Sequence, residues 1–80
     1  MAKAGVILKQ VLEAYGITQS ELARVMGIRR SSVHRWVNEL ADPVSDAIID
    51  IRDALEKINS EASAEFVRLW LDKSDRKEAE

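Results

Sequence analysis

Apolar residues recur along this chain at helical rather than strand spacing. Leu8, Val11, Leu12 and Tyr15 fall at i, i+3, i+4 and i+7, one face of an amphipathic helix. Gly16 follows them, a residue suited to the left-handed turn that ends a helix. Val33, Trp36 and Val37 mark a second stripe, and Ile48, Ile51 or Arg52, Leu55 and Ile58 a third. Phe66, Leu69 and Trp70 form a fourth, widened by Val67 and Leu71. No alternating run of β-branched residues lies between turn pairs, so the pattern predicts an all-α fold.

The residues between the stripes place the boundaries. Thr18 and Glu21 have the spacing of a capping box, and Ile17 with Leu22 that of a hydrophobic staple, so a helix is predicted to start near Gln19. Ala23 is small enough for a crossing helix to come close. Gly27 supplies the positive φ that stops the helix. Ile28 is then expected to drop into the core, and a third helix to run over residues 30–38. Its exposed stripe carries Arg30, Ser31, Ser32, His34, Arg35 and Asn38, directly after Arg29. Two short helices joined by a glycine turn, the second rich in cations, read as a helix-turn-helix, a device for setting a helix in a DNA groove. A fourth helix is announced by Asp42 as cap before Pro43, or by Ser45. Asn59 and Ser60 interrupt the pattern, and a fifth helix is expected from Glu61 or Ala64 to near Asp72. The first helix is expected to pack across the second and third. Residues 1–72 thus predict one compact five-helix domain, with a charged tail over 73–80 that frays.

At these residues the chain resembles the lambda-repressor-like, or Xre/Cro, helix-turn-helix domains. The matching elements are Gly16-Ile17-Thr18-Gln19, Glu21-Leu22-Ala23, Gly27-Ile28, Ser31-Ser32-Val33, Arg35-Trp36 and Asn38, with Pro43 beyond. The resemblance implies that Gln19 binds a phosphate and braces the recognition helix, and that Arg29, Arg30, Ser31 and Arg35 face base edges. Three positions depart from the family pattern. Arg29 replaces the usual Ser or Thr cap, so either water caps the third helix or it begins late with Ser31 capping. Leu12 and Val37 stand where many relatives pair arginine with glutamate, and an apolar contact is expected instead. Glu39 replaces a glycine, and Leu40, Ala41 and Asp42 follow where basic residues often stand.

The net charge of −2 over 80 residues hides a separation. Residues 1–38 carry six Lys or Arg against two Asp or Glu, a net +4, whereas residues 39–80 carry six against twelve, a net −6. The acids are either merely solvated helix faces or a body that orients the cationic motif on DNA. Arg30 is the first candidate for a bidentate contact to guanine, with Arg29 or Arg35 second. Ser31 and Ser32 reach bases or phosphates, or one of them caps the helix. His34 is placed near a phosphate, and Gln19 and Asn38 position the helix through phosphates. Trp36 belongs to the buried stripe, and Arg24 to the solvated side of the second helix.

The broad apolar face of Phe66, Val67, Leu69, Trp70 and Leu71 either exceeds what a small body covers and forms a homodimer contact, or has Trp70 capping the monomer core; the first is the expected arrangement. A homodimer would also supply the second half-site that one recognition helix lacks. Double-stranded DNA is therefore the expected partner of a repressor-like regulator. The alternatives are an antitoxin-like regulator or a protein–protein adaptor that uses the acidic and apolar surface of the last two helices. Catalysis is not expected, because the carboxylates are scattered and His34 is isolated. The absence of cysteine and of any partner for His34 argues against a metal, and no cofactor is implied. No signal segment and no membrane-spanning run of apolar residues is present, so the expected location is cytoplasmic.

Overall fold

The computed structural model describes residues 4–79, with side chains over residues 4–71. Five helices make up the described chain: α1 Ala4–Tyr15, α2 Gln19–Met26, α3 Arg30–Val37, α4 Ser45–Ile58 and α5 Ser60–Ala79. The all-α architecture follows from the periodicity. α5 continues to Ala79, past the end expected near Asp72.

The core gathers one stripe from each helix. Ile7, Leu8, Val11, Leu12, Leu22, Ala23, Val33, Val37, Ile51, Ala54, Leu55, Ala62 and Phe66 are all buried in a single cluster with Ile17. α1 packs mainly on α3 and α5, while α4 packs on α2 and α5, so the expected crossing of α1 over α2 gives way to one over α5. On α4 the inward residue is Ile51, and Arg52 faces solvent. Ile28 departs from expectation: it is 37% exposed. It follows the left-handed Gly27, and its N–H is drawn back to the Ala23 carbonyl at 3.0 Å. That turn directs the side chain away from the core stripe.

Helix ends explain most of the connections. Gly16 and Gly27 both have positive φ, 64° and 75°, as their places after α1 and α2 require. The Thr18 hydroxyl accepts from the Glu21 N–H at 3.0 Å, half of the predicted box; the reciprocal bond from the Glu21 side chain is not formed among the described residues. α4 uses neither expected cap. It starts at Ser45 after an extended Val44, φ −75° and ψ 171°, that offers no side-chain cap bond, so Ser45 is the first residue of the helix rather than its cap. Asn59 joins α4 to α5 alone: its N–H donates to the Leu55 carbonyl at 2.7 Å, and its Oδ1 accepts from the Glu61 N–H at 2.9 Å. The buried Ser63 hydroxyl then donates to the Arg52 carbonyl at 3.0 Å, pinning α5 to α4 without an unsatisfied polar atom.

One contact has no counterpart in the hydrophobic pattern. Gly5 lies buried on α1 against the backbone of α3, and a Cβ built there would overlap the Trp36 carbonyl oxygen and sit 2.9 Å from its carbon. Only a residue without a side chain lets the two helices approach this closely.

Candidate nucleic-acid interface

α3 divides cleanly into a buried and an exposed arc. Val33 and Val37 are buried and Trp36 is half-buried against the core. Arg30, Ser31, His34, Arg35 and Asn38 are all exposed on the opposite side. Ser32 is half-buried on the shoulder next to Trp36 by helical spacing, which removes it from the centre of the predicted stripe. Arg29 precedes the helix in an extended conformation, φ −76° and ψ 144°, and makes no side-chain cap bond. The helix begins at Arg30 rather than a turn later, so Ser31 does not cap it.

Asn38 closes the other end. Its side-chain amide donates to the His34 carbonyl at 2.8 Å and lies 3.2 Å from His34 Nδ1, so the two predicted contact residues brace each other. Beyond them the turn is a Schellman motif: the Glu39 N–H reaches the Trp36 carbonyl at 3.1 Å and the Leu40 N–H the Arg35 carbonyl at 2.8 Å. That places Glu39 at φ 62°, the left-handed region that strains a residue with a Cβ.

The cations of the two halves differ in their surroundings. Arg52 bonds Asp53 at 2.9 Å and Arg68 bonds Glu65 at 2.6 Å, so both arginines of the acidic half whose side chains are described are paired with acids. Arg24, Arg29, Arg30 and Arg35 are exposed, and their side chains have no ion-pair or hydrogen-bond partner among the described residues. Charge left unpaired along one helix face is the arrangement that a polyanion engages.

Gln19 is half-buried at the first position of α2. It shares a groove with Asn38, Thr18, Lys9 and Glu13, floored by Leu12, Ile17 and Val37. Leu12 and Val37, between which an apolar contact was expected, are both buried there. Lys9 was not singled out by the sequence, because an exposed lysine on an amphipathic helix carries no signal of its own.

The model of the helix-turn-helix family matches residues 8–58, from the middle of α1 to the end of α4. The chain belongs to the Xre/lambda-repressor-like helix-turn-helix family. A "Putative HTH-type transcriptional regulatory protein" of Methanocaldococcus jannaschii is 35% identical over 52 residues. That stretch covers 65% of this chain and 16% of the relative, so the chain corresponds to a small part of that protein's length. No solved structure matches the chain.

α5 lies outside the stretch matched by the family. The expected dimer residues are divided by the structure: Phe66 is fully buried in the core and presents no surface to a partner. It continues the inward line of Ala62 and Ser63, the small side chains that let α5 sit close to α4. Val67, Leu69 and Trp70 are half-buried against the core, and Leu71 is 49% exposed. Val67, Trp70 and Leu71 line a mainly apolar groove with Ile48, Ile49 and Arg52 of α4 and the buried Phe66.

Glu39 is the one residue other than glycine with positive φ among the described residues. Glu39→Gly is expected to relieve the left-handed strain and raise stability by about 1 kcal/mol, less whatever its exposed side-chain interaction contributes. The melting temperature should rise by roughly 3–6 °C on thermal unfolding. An unchanged or lower value would show that the side chain's interaction outweighs the strain.

Proposed function

We propose that this chain is the DNA-reading domain of a repressor-like transcriptional regulator, laying α3 in the major groove of duplex DNA and acting as a homodimer. The observation that carries the reading is the row of arginines on the exposed side of the helix-turn-helix whose side chains have no partner among the described residues, beside an acidic half in which Arg52 and Arg68 are paired. Arg30 contacts a guanine through O6 and N7, with Arg29 or Arg35 in support. Gln19, Asn38 and His34 position α3 through phosphates, and Ser31 reaches a base or phosphate. The description of the Methanocaldococcus jannaschii relative as a transcriptional regulatory protein agrees with such a role. A dimer contact at Val67, Trp70 and Leu71 sets two copies of α3 on half-sites about 34 Å apart.

Selection from a random duplex library at near-physiological salt tests the reading. The expected result is a symmetric motif, with affinity that falls steeply as salt rises because phosphate contacts release counterions. No enrichment by a protein shown to be folded by circular dichroism would overturn it. That outcome would favour an adaptor role, for which Leu40 and Val44, 68% and 70% exposed in the loop after α3, provide apolar surface.

A further inference from the structure

We infer that Lys9 is a phosphate-positioning residue, through which α1 joins the DNA contact. The inference rests on the DNA-reading role proposed above and deepens it. Lys9 is exposed on α1, one turn from the buried Leu12. The fold brings it into a single groove with Gln19 at the start of α2 and Asn38 at the end of α3, the two residues to which phosphate contacts are assigned. Three helices that are separate in sequence thus bring one lysine and two carboxamide residues to the same groove, together with Glu13 and Thr18. The groove holds about 250 Å³, many times the roughly 30 Å³ that a water occupies, and so has room for an anion with part of its hydration.

The charge on Lys9 is available for this contact. Glu13 lies one turn further along α1 and lines the same groove, yet no ion pair joins it to Lys9 among the described residues. The groove floor adds no competing acceptor, since Leu12, Ile17 and Val37 are apolar and buried. An ammonium above such a floor points outward and has solvent or a backbone phosphate as its counterpart. A lysine used in this way supplies affinity without sequence information.

The test measures the salt dependence of duplex affinity for the wild-type chain, Lys9→Gln, Lys9→Arg and Lys57→Gln, on one selected and one scrambled duplex. Lys57→Gln removes an exposed lysine from α4 and controls for net charge. Lys9→Gln is expected to lower the slope of log affinity against log salt by about one and to weaken both duplexes alike, about three- to tenfold near 0.1 M salt. Lys9→Arg should restore binding, and the melting temperature of Lys9→Gln should match wild type. An unchanged slope in Lys9→Gln, or an equal fall in Lys57→Gln, overturns the assignment while leaving the DNA role standing. A wild-type chain that binds neither duplex overturns both.

Discussion

Gly5→Ala is expected to destabilise the domain by about 2 kcal/mol or more, although helix propensity alone favours alanine by roughly 1 kcal/mol at such a position. The overpacking cost wins because the obstacle is backbone. The new methyl would occupy the space of the Trp36 carbonyl oxygen, and a carbonyl inside a helix cannot rotate aside as a side-chain tip does. The same carbonyl accepts the Glu39 N–H in the turn that ends α3. Relief therefore requires α3 to move away from α1, opening the core around Leu8, Val33 and Val37. A loss of this size lowers the melting temperature by about 10 °C or more in a domain of 80 residues. Gly16→Ala is the useful comparison, since that glycine has a positive φ and a Cβ placed on it meets nothing within 4 Å; it should cost only the backbone strain, about 1 kcal/mol. Urea unfolding of both variants checks this. A neutral or stabilised Gly5→Ala would refute the close contact between α1 and α3.

Arg30→Ala is expected to leave stability unchanged and to cost roughly 1–3 kcal/mol, about tenfold to a hundredfold, on the selected duplex. Arg30 is exposed at the first position of α3 without a partner among the described residues, so its removal leaves no buried group unsatisfied. A bidentate guanine contact predicts a loss confined to duplexes with that base pair, and a relaxed preference there when the selection is repeated. Equal losses on every duplex would make Arg30 a phosphate contact and pass the base-reading role to Arg29 or Arg35. Comparison with Lys9→Gln, for which uniform loss is the expected outcome, separates reading from holding within one set of measurements.

Much of this was legible in the sequence, for identifiable reasons. Gly16 and Gly27 have the left-handed conformation that few other residues share, and Thr18 has the hydroxyl that caps a helix, so their spacing disclosed the bounds of α2 and the turn before α3. The exposed arc of α3 followed from the positions of Val33 and Val37, with only Ser32 misplaced. Local pattern failed where two or more solutions satisfy it. Five of six residues from Phe66 to Leu71 are apolar, and periodicity does not say which of them turns inward. The small residues Ala62 and Ser63 decide it by drawing that side of α5 against α4 and burying Phe66. Gly5 was invisible for a different reason: a glycine within a helix has the same appearance whether it is tolerated or required. Lys9 became notable only when the fold joined α1 to the ends of two other helices.

The single-residue joint at Asn59 has an architectural consequence. Because its backbone closes α4 and its side chain opens α5, there is no slack in which an added residue would be absorbed, and each insertion would turn α5 by about 100° and misalign Ser63 and Phe66. The stretch between α3 and α4, residues 38–44, has mostly exposed side chains and, beyond the turn at Leu40, no regular pairing to lose. Reporter sequences and lengthened loops therefore belong between α3 and α4, while the α4–α5 pair behaves as one rigid hairpin to be grafted whole.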